Sequence, residues 1–320
     1  LKYRKAGNTG LMLSEISLGC WTIGGRSWDN GVSTGYAAVN EKDAVEALLY
    51  ARDNGVNHFD TADSYGYGLS ERLIGKAFAG SGDIIVSTKV GNICASAEHP
   101  YTPMNIRHQC EQSLENLKRD HIDIYYFHHP YFGEDDMYLK GAVKTMNALK
   151  TEGKVRYIGL SAYADADFER LCPVIKTDII QAQGSIINPR FIQKDGAAAR
   201  AGMSLTATSP LAMGLLTGRY SSNKKYNFIN GDHRREDVRF SPSYIGIMEK
   251  RLQKIGERFG GGKAELVRVA LQYVLSHEQV CCALPGFRNI QQVQESIAAS
   301  DRPLSQEDVF FIEGVFGEEA

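Results

Sequence analysis

Residues 57–66 of the chain read NHFDTADSYG, an apolar run that ends in two carboxylates, Asp60 and Asp63, and a phenol, Tyr65. Alone, the stretch is an ordinary polar turn, since Asp, Ser and Gly are common turn formers. The next two apolar runs change that reading, because IIVSTK ends at Lys89 and IDIYYF is followed at once by His128. Four reactive side chains thus fall at or just beyond three successive strand ends. A free phenol titrates at about 10 and is a poor acid at neutral pH, but a nearby ammonium favours the phenolate and lowers that value. Lys89 is the expected ammonium and Asp60 the carboxylate that holds it charged and in place. His128, if neutral, can donate a hydrogen bond that orients a carbonyl oxygen. Together they form an acid poised over a carbonyl. Asp63 is expected to serve the turn or cap a helix.

Such a cluster needs strands that end side by side. Short apolar runs at 16–20, 57–61, 84–89, 122–127, 156–161, 178–182, 204–209 and 279–284 alternate with segments of helical period, such as Ile106, Cys110, Leu114 and Leu117 or Leu139, Val143, Met146 and Leu149. Eight β-then-α units with fully apolar strands predict a parallel sheet covered by helices and closed as a (β/α)8 TIM barrel, with a doubly wound open sheet as the alternative. In a barrel the reactive groups lie at the C-terminal strand ends, where these four fall. The Asn8-Thr9-Gly10 turn between 2–6 and 11–13 predicts an N-terminal β-hairpin before the first barrel strand. Residues 219–243 are polar and irregular, too long for a routine connection. Gly260-Gly261-Gly262 predicts a break between two helices. The whole of 1–320 is expected to form a single domain.

Composition narrows the function. A chain of 320 residues with net charge −2 and interspersed signs has no basic face for nucleic acid. No apolar run approaches the roughly 18 residues of a spanning helix, and the first residues lack the apolar core of a signal peptide, so no membrane partner and a cytoplasmic location are expected. Six cysteines without CxxC spacing are expected to be reduced and packed, and no metal site is expected.

The segments FDTADSYG, STKVG, IDIYYFHHP, GKVRYIGLS, SPLAMGLLTGRY and LPGFRNIQQVQES, in this order across nearly the whole chain, resemble the aldo-keto reductase superfamily. The resemblance implies a (β/α)8 barrel that reduces carbonyls with NADPH, with NADH as the alternative cofactor. It implies Tyr65 as proton donor, Asp60 and Lys89 as its tuning pair, and His128 as the orienting residue. The opening hairpin and the GDHRRED region resemble the longer bacterial-type members, in which the hairpin plugs the barrel base. Neither GxGxxG after a strand nor GxxxxGKS/T occurs, so the cofactor residues come only from the resemblance. It places Ser161 and Gln181 at the carboxamide, Ser209, Leu211, Gly214 and Arg219 at the pyrophosphate, and Gly286, Arg288, Gln292 and Glu295 at the adenosine end. Ala162, Thr208, Gln292 and Ser296 stand where many members carry Asn, Tyr, Arg and Asn, which weakens the cofactor contacts and rests an NADPH preference mainly on Arg288.

Trp21, His129 and Tyr131 are expected to line the mouth around a small-molecule carbonyl substrate, such as a sugar or hydroxylated metabolite. Two other functions stay open. One is a Schiff-base or acid/base barrel enzyme, although an aldolase lysine should be desolvated to lower its own pKa, whereas Asp60 would keep Lys89 charged. The other is a non-catalytic, cofactor-sensing subunit of a larger complex.

Overall fold

The computed structural model describes residues 1–29 and 31–317. The chain opens with an antiparallel hairpin, β1 (Tyr3–Lys5) and β2 (Met12–Ser14), followed by β3 (Leu18–Gly19) and a small antiparallel ribbon of β4 (Trp28–Asp29) and β5 (Val32–Ser33). The later strands are β6 (His58–Asp60), β7 (Ile85–Val90), β8 (Ile122–Phe127), β9 (Val155–Ser161), β10 (Ile179–Gln183), β11 (Leu205–Thr208) and β12 (Val280–Leu284). Eight of these pair in the order β12-β11-β10-β9-β8-β7-β6-β3, every pair parallel. The two edges meet through bridges at Ile16/Ala283 and Gly19/Gly286, and the Ser17 and Gly19 amides donate to the carbonyls of Ala283 (3.0 Å) and Pro285 (3.1 Å). This closure leaves no open edge, and the fold is a TIM barrel.

The eight expected strands correspond to the eight barrel strands, and the hairpin stands where the Asn-Thr-Gly turn placed it. The helices are α1 (Glu41–Asp53), α2 (Leu69–Phe78), α3 (Pro103–Leu117), α4 (Leu139–Thr151), α5 (Asp165–Ile175), α6 (Ala197–Arg200), α7 (Pro242–Phe259), α8 (Lys263–Leu275), α9 (Ile290–Ala298) and α10 (Gln306–Gly317). Helical spacing brings Ile106, Cys110, Leu114 and Leu117 of α3 onto one buried face. Pro103 opens that helix, where its missing N–H costs nothing. The three glycines at 260–262 separate α7 from α8. Strand β8 is buried along its whole length, because helices cover its outer side and the barrel interior its inner side.

The base of the barrel is sealed by the hairpin. Ala6, Leu11 and Leu13 pack with Ile124, Tyr126, Ile179, Cys281, Cys282 and Leu284 in a cluster separate from the main core. Tyr126 fills the barrel so closely that a Cβ on Gly159 of β9 would lie 2.2 Å from its ring, which explains a glycine inside a strand. All six cysteines are free and five are buried. Among the described residues no helix is long and apolar enough to cross a membrane, and no group of three or more His, Cys, Asp or Glu could hold a metal ion.

The β4–β5 ribbon carried no legible sign in the sequence, since two-residue strands have no periodicity to detect. Before α7 begins at Pro242, the 219–243 region has only two short 3-10 turns, His233–Arg235 and Val238–Phe240, capped by Asp232 and Asp237. It folds back onto the ribbon, where the His233 amide donates to Gly35 O at 3.0 Å.

Candidate active site

The strand ends of β6 and β7 bring a carboxylate and an ammonium together inside the barrel. Lys89 Nζ donates to Asp60 Oδ1 (2.6 Å), to the Thr61 carbonyl (2.6 Å) and to Tyr65 Oη (3.4 Å), so all three ammonium protons have acceptors. Asp60 Oδ2 accepts from Ser87 Oγ (2.7 Å) and from Gln181 Nε2 (2.9 Å). Lys89 is 1% exposed and Asp60 3%. A buried ion pair is tolerable only when its remaining donors and acceptors are satisfied, as they are here. The polarity of the next layer follows. Ser87 gives its one proton to Asp60, so it must accept from His58 Nε2 at 2.9 Å. Ser87 lies two residues from Lys89 on β7 and so on the same face, a spacing already visible in the sequence.

Tyr65 sits in the loop after β6, partly buried, with the Lys89 ammonium 5.0 Å from its ring centroid. The expectation that Lys89 lowers its pKa does not hold in this geometry. Burial, followed by the Asp60 carboxylate, pushes the phenol well above its ordinary 10.0. The physical reason is that Lys89 is neutralised by the closer Asp60, which leaves desolvation to dominate. Tyr65 is therefore held in its protonated form at neutral pH. Asp63 neither forms a side-chain turn bond nor caps a helix. It is 4% exposed, neither carboxyl oxygen has a hydrogen-bond partner, and burial beside Glu71 pushes it well up, toward the neutral acid. Glu71, on α2, is itself fully buried and accepts from Thr88 (2.7 Å) and Asn116 (3.0 Å).

His128 follows β8, its ring edge-on to that of Tyr65 with centroids 5.8 Å apart. Burial and the Lys89 charge hold it well below 6.5, so it is neutral at pH 7. Asn92, which the sequence reading did not single out, places its amide nitrogen 3.0 Å from His128 Nδ1. His129 does not line the cleft as expected. Consecutive residues face opposite ways here, and its Nε2 donates to the Gly91 carbonyl at 2.7 Å while Tyr101 Oη bridges its own N–H and C=O. Tyr131 is 63% exposed and packs near His99 instead.

A cleft runs from Tyr65 and Asp60 across the barrel mouth. Trp21, Thr208, Ser209, Leu211, Gly214 and Arg219 line one part, and Gly286, Arg288, Gln292, Glu295 and Ser296 another. Ser161 ends β9 beside Gln181 of β10 in register. The Gln181 amide nitrogen is committed to Asp60 and to Thr206 at 3.3 Å, which leaves its Oε1 for any ligand. Gln292 Oε1 accepts from the Arg288 amide at 2.8 Å and so fixes the loop that carries Arg288. The segment after β11 is strained in a useful way: Ser209, Ala212, Met213 and Gly214 all take left-handed φ between 47° and 91°. Such turns direct successive amides into a concavity that suits anions. Arg288 Nη2 is buried without a hydrogen-bond partner. With Arg219 and Lys263 it gives the cleft wall a cationic character suited to phosphate groups. Lys263, Tyr36 and Arg234 line the cleft too and were not foreseen. Lys263 opens α8 directly after the glycine run, the one positional hint, and pairs with Glu295 across the cleft at 2.7 Å.

Residues 15–315 match the Aldo/keto reductase family. The NADH-specific methylglyoxal reductase of Escherichia coli (strain K12) is 29% identical over 322 residues, which cover 94% of this chain and 94% of that protein. L-galactose dehydrogenase of Arabidopsis thaliana is 26% identical, covering 93% and 88%. The holo form of an aldo-keto reductase from Bacillus halodurans aligns with a TM-score of 0.77 at 27% identity, over 98% of this chain and 96% of that one. A glycerol dehydrogenase from Gluconobacter oxydans shares the fold, with a TM-score of 0.81 at 24% identity over 99% and 95%. With an acid cluster at the strand ends and an anion-suited cleft beside it, the chain belongs to the aldo/keto reductase family and is an NAD(P)H-dependent oxidoreductase.

Proposed function

We propose that the protein reduces a small aldehyde, ketone or keto-sugar to the alcohol, with NADPH as preferred cofactor and Tyr65 as proton donor. The observation that carries this reading is the continuous chain from Asp60 through Lys89 to the protonated Tyr65 hydroxyl, opening on a cleft whose wall holds an Arg288 N–H without a hydrogen-bond acceptor. Arg288, Arg219 and the loop 209–214 would hold the phosphates, Gly286 and Glu295 the adenosine end, and Ser161 with Gln181 Oε1 the carboxamide. A bound nicotinamide cofactor supplies the hydride.

The chain's own residues handle the proton. His128 donates a hydrogen bond to the carbonyl oxygen and orients it, and Trp21 closes one side of the cleft. As negative charge develops on that oxygen, Tyr65 Oη gives up its proton. The phenolate left behind keeps the Lys89 ammonium 3.4 Å away as a hydrogen-bond donor, which offsets only part of the cost that burial and Asp60 impose on it, so the phenolate is short-lived. Asp60 keeps Lys89 in place, and solvent returns the proton. Lys89 is unsuited to Schiff-base chemistry, because all three of its N–H groups are held by fixed acceptors and no lone pair is free. One bacterial relative is named as NADH-specific. In this chain Arg288 Nη2 is buried, makes no hydrogen bond and has only a long 4.0 Å ion pair with Asp232, which already serves Arg234, and this supports a ligand with an additional phosphate. Loss of cofactor absorbance with a panel of aldehydes, ketones and keto-sugars, methylglyoxal among them, tests the proposal. Turnover of at least one class is expected, faster with NADPH, and no turnover of any carbonyl with either cofactor contradicts it and favours a cofactor-sensing role.

A further inference from the structure

We propose that Asn92 is a positioning residue for His128, donating its side-chain amide to Nδ1 and thereby confining the ring proton to Nε2. The inference rests on the reading of His128 as the group that orients the carbonyl. A neutral imidazole has one donor and one acceptor nitrogen, and the partner at one nitrogen decides which is which. Asn92 Nδ2 lies 3.0 Å from His128 Nδ1 and can only donate, so Nδ1 accepts and Nε2 carries the proton. The opposite tautomer would turn a lone pair toward the substrate oxygen and repel it.

The surroundings fix Asn92 in that role. The preceding Gly91 has φ +143°, and a Cβ there would lie 2.5 Å from Tyr101 Oη. The Gly91 carbonyl is clamped by His129 Nε2, and Tyr101 Oη ties the His129 backbone from the other side. His129, initially expected at the substrate, thus holds the turn that presents Asn92. Asn92 itself is exposed on its outer side, so replacing it removes no core packing. The titratable groups that face the His128 ring are Lys89 on β7, Tyr65 after β6 and the adjacent His129. None of them contacts Nδ1 in place of Asn92.

The test is long-range nitrogen NMR of the full-length enzyme with labelled histidine, His128→Gln identifying the signal. Native protein should show an unprotonated Nδ1 and a protonated Nε2. Asn92→Asp offers a carboxylate that can only accept, so the neutral ring should switch to Nδ1–H. At neutral pH its turnover should fall about tenfold or more, with cofactor affinity unchanged. The imidazolium form again carries a proton on Nε2, so the Asn92→Asp enzyme should regain activity as pH falls through the His128 pKa, while native enzyme shows no such step. Asn92→Ala should lose a smaller factor, up to about tenfold. A native ring protonated at Nδ1 overturns the proposal whatever the activity, as does native turnover in Asn92→Ala with the tautomer unchanged. A switched tautomer with native turnover overturns the catalytic role of His128, and with it the functional half of the proposal.

Discussion

Tyr65 and His128 are pushed in opposite directions by one cause, since burial raises the phenol and lowers the imidazole. Neither group titrates between their ordinary values of 6.5 and 10.0. The rate constant for carbonyl reduction at saturating cofactor should therefore be level over that interval. On the proposed mechanism alcohol oxidation uses Tyr65 as the base, so it should rise with pH as the small phenolate fraction grows. A reduction profile with a break near neutrality would show that the proton comes from another group. The Asp60–Lys89 pair is coupled in a different way. Replacing Lys89 by Met leaves the Asp60 carboxylate buried with only Ser87 and Gln181 as donors, at a cost of about 3–5 kcal/mol. A clear drop in thermal midpoint together with loss of turnover is expected, and native stability would mean that Asp60 accepts a proton without penalty. Thr208 ends β11 at the cleft and offers no ring face. Thr208→Tyr should tighten cofactor binding a few-fold, since a stacked aromatic contributes about 0.5–1.5 kcal/mol, and slow turnover if release limits the rate. Unchanged affinity in a titration would show that Thr208 does not face the nicotinamide.

At the scale of elements, the proposed function puts cofactor choice in the loop between β12 and α9. Asn289 caps α9 by accepting from the Gln292 amide, and Gln292 Oε1 returns to the Arg288 amide, so Arg288 is presented from a rigid turn. A charge-assisted contact from Arg288 to a 2′-phosphate contributes about 1.5–3 kcal/mol. NADPH should accordingly bind roughly ten- to a hundredfold more tightly than NADH, and Arg288→Ala should erase the difference. Equal dissociation constants in the native protein would assign the cation to another duty. The strand ends were legible because a parallel barrel gives each strand a continuous apolar run that stops abruptly at its chemistry, as at Asp60 and Lys89. Asn92 was not legible, since nothing in STKVGN distinguishes a turn asparagine from one aimed at a histidine 36 residues away. His129 misled for a related reason: an aromatic type beside His128 resembles a pocket residue, but in the bend after β8 its ring is committed to the Gly91 carbonyl and its backbone to Tyr101. The sign of the Tyr65 shift was missed because residue types reveal a neighbouring cation but not how fully another group already neutralises it.

Across the whole molecule, stability and chemistry are separated along the barrel axis. The hairpin seals one end with Leu13, which is fully buried against Ile124, Tyr126 and Leu284, while the reactive cluster opens at the other. Leu13→Ala should cost about 2–5 kcal/mol in a denaturant titration and leave turnover under native conditions unchanged. A loss of turnover without a loss of stability would mean that the plug is coupled to the mouth. The count of apolar runs made the barrel readable from the sequence and the Asn8-Thr9-Gly10 turn its hairpin, while the hairpin's place at the barrel base followed from the family resemblance. The β4–β5 ribbon and the 231–240 segment that meets the chain just after it, through His233 and Gly35, were not readable, since they are held by backbone and aromatic contacts between distant segments. The central claim is that the proton for carbonyl reduction comes from Tyr65. Its most direct test is a single-turnover measurement of hydride transfer from pre-bound NADPH to a carbonyl that the native enzyme reduces, in native and Tyr65→Phe protein, with cofactor affinity titrated in parallel. The account predicts unchanged cofactor affinity and a transfer step slowed by about 10²-fold or more, and a transfer step at the native rate would contradict it.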